Sequence, residues 1–391
     1  MPPPTLSQPS RSELFYDLVL IGAFLSFGVD FGKSPNWESG IVLAMKLTLI
    51  MWAWEQTALF FNRFGDPFSA RHSGTLLPTA LRFAFLIQLV AVLGVSLLET
   101  SETKLSALNG PLGYGGAAVV LAIGVIYELG ARWQPELAKV AHQRRNASLV
   151  GAVLFIASGL SPQPWGAALW MLAVIAIFVM NFGPTMPTTL KLFPLQREHL
   201  SERLGLFVLI LIGDVFVKTV VTVHEDSVQE AHLLQLAFVA AISWTLWTIY
   251  DREVMSRPMP EIAARLRAWM LWHYLFAIVL LICSVGLVWY IAPNAQYQLG
   301  DWIAMVAAGG VGVAVALVAL MRITAGAPGA RAAAARLGVI AVVAVVIGLL
   351  AWLATPSDWR VGVGTLAVAM VALNYWAFRN DPRPASADQF G

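Results

Sequence analysis

The stretch RSELFYDLVLIGAFLSFGVDF, residues 11–31, decides what kind of molecule this is. It is apolar for long enough to cross a bilayer as one helix, yet it keeps Glu13 and Asp17 at its head. The two acids are four residues apart and so share one helix face, with Asp17 about one turn into the apolar run. An ionised side chain at the centre of a lipid-facing helix costs roughly 2.5–3.5 kcal/mol, so such residues turn toward a partner or a wet cavity. Reading outward with windows of about 19 residues gives twelve stretches of this kind, near 14–31, 39–61, 77–98, 113–131, 146–160, 164–181, 202–223, 232–250, 269–291, 300–320, 337–354 and 360–378. The pair 146–160 and 164–181, separated by Ser161-Pro162-Gln163, reads either as two spans or as a re-entrant hairpin. The expected fold class is therefore all-α, a polytopic transmembrane helical bundle of about twelve spans.

Composition agrees with this reading. Of 391 residues, 58% are hydrophobic and only 12% charged, about half the charge fraction of an ordinary soluble domain. The net charge of +2 is small and its basic residues are scattered, so no nucleic-acid partner is expected. Cys283 is the only cysteine, which excludes disulfides and cysteine metal clusters. The polar, Pro-rich opening MPPPTLSQPS does not read as a cleavable leader, and the first helix is expected to be retained as a span.

With an even number of spans both termini share a side. The tails and alternate loops on that side hold eighteen basic residues, including the cluster Arg132, Lys139, Arg144 and Arg145. The opposite side has Lys33, Lys104 and Arg360, with the acidic HEDSVQE at 224–230. By the positive-inside rule both termini are expected to be cytoplasmic, in the bacterial cytoplasmic (inner) membrane. The chain also echoes itself at a spacing of about 190 residues: SEL at 12–14 with SER at 201–203, Trp54 with Trp244, Arg82 with Arg267, and Asn181 with Asn374. These ordered echoes suggest two parallel six-helix repeats, residues 1–190 and 191–391. Beyond about residue 300 the helices turn into Ala, Val and Gly runs suited to close packing. Function is expected in helices 1–4 and 7.

The charges there form the candidate site. Arg11, Glu13 and Asp17 open helix 1. Helix 2 carries Trp54 and Glu55 in its middle and ends in Asn62, Arg63 and a Gly65-Asp66-Pro67 turn. Arg82 enters one turn into helix 3 and is expected to pair with Asp17 or Glu55. Glu128 and Arg132 read as an i,i+4 ion pair closing helix 4. Helix 7 holds Glu202, Arg203 and, near its middle, Asp214 followed by Lys218. That last pair reads either as a self-neutralising bridge or as a proton or cation site, with Gly213 letting another backbone approach Asp214. Asp17, Trp54, Glu55, Arg82 and Asp214 are the substrate- or ion-binding candidates, and Arg11, Glu13, Asn62, Arg63, Asp66, Glu128, Arg132, Glu202, Arg203 and Lys218 the supporting charge network. The six histidines are dispersed, so no metal site or cofactor is expected. No phosphate-binding loop, nucleophile elbow or zincin helix is present, and an enzyme is not expected.

At these residues the chain resembles the bacterial low temperature requirement A family. The family's ELFFDLVFV-like first helix stands here as Glu13-Leu14-Phe15-Tyr16-Asp17-Leu18-Val19. Its tryptophan-rich second helix ending in NRF stands as Trp52 through Asn62-Arg63-Phe64, and its ERxGLFxIIxLGE-like later helix as Glu202-Arg203-Leu204-Gly205-Leu206-Phe207 through Gly213-Asp214. The acidic pair that follows NRF is reduced to Gly65-Asp66-Pro67, and Asp214 replaces the usual Glu. The resemblance implies an integral membrane protein linked by name to growth in the cold, without a substrate or reaction. Arg11 through Asp17 also resembles the R-x-x-x-F-S-D of the endolysosomal and bacterial potassium channels built from six-helix repeats, with Tyr16 in place of Ser. The expected function is a transporter of a small solute or cation through a polar pocket. The alternatives are a cation channel, or a membrane scaffold or sensor linked to cold growth. Expected partners are the lipid bilayer, a small solute or cation and, as an open alternative, a second copy of the chain.

Overall fold

A computed structural model describes residues 10–69, 74–98, 105–183, 190, 194–226, 230–291, 305–326, 328–353 and 359–379. Of the eighteen basic residues expected on the side of the termini, Arg71, Lys191 and Arg383 lie outside the described residues, as do Lys104 on the opposite side and residues 227–229 of the acidic stretch. Among the described residues the chain forms helices and no strand. Its long helices are α1 (Arg11–Lys33), α2 (Trp37–Phe64), α3 (Leu76–Leu97), α4 (Gly110–Trp133), α5 (Ala138–Leu160), α6 (Trp165–Phe182), α7 (Arg197–Asp226), α8 (Glu230–Tyr250), α9 (Ala263–Ile291), α10 (Gly310–Ala325), α11 (Ala330–Leu353) and α12 (Trp359–Arg379). Each coincides with one apolar stretch read from the sequence. The segment 138–160 starts well before its apolar run because AKVAHQRR joins the same helix, and α5 and α6 are separate elements.

Seven helical segments are long and apolar enough to cross a membrane by length and composition: Arg11–Lys33, Leu76–Leu97, Gly110–Trp133, Leu233–Met255, Ala263–Trp289, Met305–Ala325 and Ala330–Leu353. Trp165–Met180 and Gly364–Ala377 are shorter apolar helices. With 28 and 30 residues, α2 and α7 have ample length, but charged side chains run through their middles. The protein is thus an all-helical, multi-pass membrane protein.

Local chemistry places the helix ends. Ser10 and Glu13 form a capping box at the head of α1, and Asn36 and Ser39 do the same for α2, satisfying amides that lack a partner within the helix. At its other end α2 stops because Gly65 adopts φ +80°, a conformation only glycine takes without strain, and the Gln134 side-chain amide donates to the Phe64 carbonyl at 2.6 Å. Five-residue π-helical turns continue α8 over Asp251–Met255 and precede α10 over Met305–Gly309.

The described residues fall into two compact units. The first contains Met1–Ile210 and Met259–Tyr274, the second Leu211–Pro258, Leu275–Ala295 and Leu299–Gly391. In the first, α1 packs on α2 and α3, and α4 packs against α3, α5 and α2. Close approach of α4 to α5 depends on Gly113: a Cβ there would stand 2.6 Å from the Gly159 backbone nitrogen. In the second unit α11 packs between α10 and α12, and α12 against α8. The expected echo of Trp54 by Trp244 is not matched in environment, since Trp54 is fully buried and Trp244 is 69% exposed.

Candidate functional site

The centre of the first unit is polar. Asp17 and Glu13, one turn apart on α1, face His199 and Arg203, one turn apart on α7, and all four side chains are buried. Two i,i+4 pairs of opposite character therefore meet across the helix interface. Arg203 Nη2 pairs with Asp17 Oδ1, and its Nε donates to Asp17 Oδ2 at 3.3 Å. Arg203 Nη1 and His199 Nε2 each lie 3.2 Å from Glu13 Oε2. From α2, Trp54 Nε1 donates to Asp17 Oδ1 at 2.8 Å, and the guanidinium of Arg203 sits 5.7 Å from the rings of both Trp54 and Phe61. Phe207 stacks on Trp54 at 4.9 Å between ring centres and meets Phe24 edge-on. These aromatic walls keep water away from the ion pairs, which strengthens every charge within.

The tautomer of His199 follows from its neighbour. Asn62 Oδ1 accepts from the Gln196 amide at 2.9 Å while its Nδ2 donates to the Gln196 carbonyl at 2.8 Å, so the side-chain amide has one orientation. The same Nδ2 points at His199 Nδ1, 3.4 Å away. A group with only hydrogens to offer faces that nitrogen, so Nδ1 is the acceptor and the proton of the neutral ring lies on Nε2, toward Glu13. Two carboxylates then share one guanidinium. With His199 neutral, the cluster holds one negative charge in excess.

A second polar group lies on other faces of α2. Tyr274, on α9, donates to Glu55 Oε2 at 2.7 Å. The hydroxyl of Tyr127, on α4, donates to the Gln56 carbonyl at 2.9 Å, and Arg144 Nη1, from α5, donates to Gln56 Oε1 at 3.4 Å. A smaller network, in which the Thr57 hydroxyl lies 2.9 Å from Tyr16 Oη and Gln88 Nε2 donates to Thr57 at 3.1 Å, ties α1, α2 and α3 together beside it.

The remaining sequence candidates are placed as follows. Arg82 does not pair with Asp17. Its Nε donates to the Pro67 carbonyl at 2.9 Å and its guanidinium lies over Phe68, because the turn after α2 reaches it first and Arg203 already occupies Asp17. Asp66 accepts from Ser12 at 2.8 Å and from the Phe68 amide at 2.8 Å, organising that turn. Glu128 is held by Arg132 at 2.9 Å, as expected for an i,i+4 pair, and also by Arg145 at 2.7 Å, at the surface. Arg11 is exposed and Glu202 half-buried, and among the described residues neither contacts the central cluster. Lys46 reaches Asp30 at 4.0 Å beside a cavity of about 10 Å³, room for one water.

In the second unit Asp214 pairs with Lys218 one turn on, and Ser284 bridges them, accepting from Lys218 at 3.0 Å and lying 2.8 Å from Asp214 Oδ2. Gly213 is not a point of close approach, since a Cβ there would meet nothing within 4 Å. The geometry is that of a self-neutralising pair. Also in this unit, Glu253 of the π-turn is 3.2 Å from Arg322 of α10, a buried pair with no local sequence signal.

The side chains that converge belong to the three quoted motifs: Glu13 and Asp17, Trp54 and Asn62, and Arg203 with Phe207. The description "bacterial low temperature requirement A protein (LtrA)" belongs to a family model that matches residues 9–383. The chain belongs to the LtrA family. No curated protein and no solved structure matches it. In this LtrA chain His199, Arg144 and Tyr274, which lie outside the quoted motifs, add to the polar groups around α2. His199 had a signal: it precedes Arg203 by four residues, as Glu13 precedes Asp17.

Proposed function

We propose that this LtrA-family chain is a transporter of the bacterial cytoplasmic membrane that moves a small solute together with a proton or monovalent cation. All twelve helices are read as spans, in two six-helix halves, with both termini cytoplasmic. The loop charges support that orientation, and the pairing of Glu13 and Asp17 with Arg203, of Glu55 with Tyr274 and of Asp214 with Lys218 removes the objection to placing these buried groups in a bilayer.

One observation carries the reading. The Glu13–Asp17–Arg203–His199 cluster has one negative charge too many for a site sealed by Trp54, Phe61 and Phe207. An uncompensated charge in a dry interior costs several kcal/mol, so the cluster is neutral only with one further positive charge bound. A proton on Glu13, or a small cation beside it, meets that need. Its arrival and departure change the attraction between α1 and α7, which is how a bound ion couples to helix movement. Trp54 reports on the cluster and Arg203 holds it together; neither performs covalent chemistry.

Solid-supported membrane electrometry on proteoliposomes tests this. The native protein is expected to give transient, saturable charge movement when small solutes are stepped across the membrane, enhanced by an inward proton gradient. Glu13→Gln removes the spare charge while keeping the shape, and should give a folded protein whose charge movement no longer follows the gradient. A steady solute-independent cation current would identify a channel instead. No charge movement with any of amino acids, carboxylates, phosphate esters or alkali cations would leave the scaffold reading standing.

A further inference from the structure

Four buried nitrogen donors on α2 and α5 have no acceptor: Arg63 Nε and Nη1, Arg144 Nε and Gln56 Nε2. They come from two helices, α2 and α5, within the first unit. The amide of Gln56 has one orientation, since its Oε1 receives Arg144 Nη1, and this leaves Nε2 with nothing to bond. Arg63 lies in the electrostatic field of Arg144, Tyr127 and Glu55. Two guanidinium groups are thus neighbours in a buried place. The carboxylate at hand, Glu55, is engaged by the Tyr274 hydroxyl, and one carboxylate offsets only one of two positive charges.

Buried donors are almost always satisfied, and like charges held together in a protein interior call for an ion of opposite sign. The missing partner has to accept several hydrogen bonds at once and carry one negative charge. A planar or tetrahedral oxyanion does both, and guanidinium groups are the side chains best shaped to hold it. We propose that Arg63, Arg144 and Gln56 form a binding site for a small oxyanion group, a carboxylate or a phosphate. Tyr127 and Tyr274 fix its walls by hydrogen bonding to α2 rather than by touching the ligand. Entry is by way of Arg63, which is half-buried as a residue although its Nε and Nη1 are enclosed. The chemistry is the same whether the group belongs to a free solute or to an anionic lipid headgroup. Assigning the free solute as the transported substrate rests on the transport reading; the binding site itself does not.

Purified full-length protein in neutral detergent is titrated with inorganic phosphate and with acetate, against chloride, by thermal unfolding and by calorimetry. Saturable binding that raises the unfolding temperature is expected from phosphate or acetate and not from chloride. Arg144→Lys keeps the charge and removes the Nε donor, and should weaken the binding at least tenfold while the protein remains folded. Arg63→Gln removes the repulsion between the two guanidinium groups, so in anion-free buffer it should unfold no lower than the native protein, yet gain nothing from phosphate. Native mass spectrometry from nanodiscs containing phosphatidylglycerol or phosphatidylcholine supplies the other arm. Retention of phosphatidylglycerol by the native protein, lost in Arg144→Lys, supports the site with a headgroup as its occupant. If neither free anions nor phosphatidylglycerol bind, or if both variants bind them like the native protein, the site is overturned. Saturable binding without solute flux would keep the site and reject the transport reading; flux undiminished in Arg144→Lys, with no anion binding, would do the reverse.

Discussion

Replacing Arg203 with methionine leaves Glu13 and Asp17 in a closed interior with no guanidinium between them. Breaking a buried ion pair by removing one partner costs about 3–5 kcal/mol, so Arg203→Met should abolish most of the monodisperse peak on size exclusion after detergent extraction. Adding Glu13→Gln and Asp17→Asn to it removes the stranded charges and should recover a large part of that peak. Arg82→Ala, by contrast, loses a carbonyl contact and a ring contact at the edge of the unit and should cost only about 1 kcal/mol. Lys218→Met should destabilise strongly in thermal unfolding, and Asp214→Asn with Lys218→Met should return close to native, because Ser284 then faces a neutral amide. Full loss of stability in the double variant would show that Asp214 has a role outside the pair. The sequence reveals that such charges are buried but not which of them meet. Depth along a helix is readable from the apolar run; azimuth relative to a distant helix is not. Asp17, Arg82 and Arg203 all lie near helix ends, and only packing decides that α7 rather than α3 faces the acid.

Among the elements, α4 and α5 are held at backbone contact distance. Gly113→Val should lower the unfolding temperature by several degrees, because the added side chain meets the Gly159 backbone at 2.6 Å and the Phe155 carbonyl at 2.9 Å, neither of which has a rotamer to yield. Gly94→Ala, with nothing within 4 Å of the new methyl group, is the control and should leave the temperature unchanged or raise it. The existence and order of the helices were legible, since apolar runs and the turn chemistry at Gly65 are properties of adjacent residues, but their ends were not: α5 begins eight residues before its apolar run because AKVAHQRR joins it. Sequence reading erred where a residue's role depends on an element far along the chain. The spacing of metal ligands is blind to a histidine such as His199, which faces a single carboxylate.

For the whole molecule, the arrangement in the membrane is open to labelling, and Cys283 helps because it is buried and gives little background. Ser106→Cys, on the short turn before α4, should react from outside intact cells with a membrane-impermeant maleimide, whereas Glu136→Cys, on the turn before α5, should react only after permeabilisation. The opposite pattern would invert the orientation. Trp54, Glu55 and Gln56 stand side by side on one helix, successive residues about 100° apart around its axis. The first touches the acid-rich cluster, the second and third the guanidinium-rich one. α2 is therefore a common axle: a twist of a few degrees about its length reshapes both clusters in the same stroke, without any signal having to cross the rest of the protein.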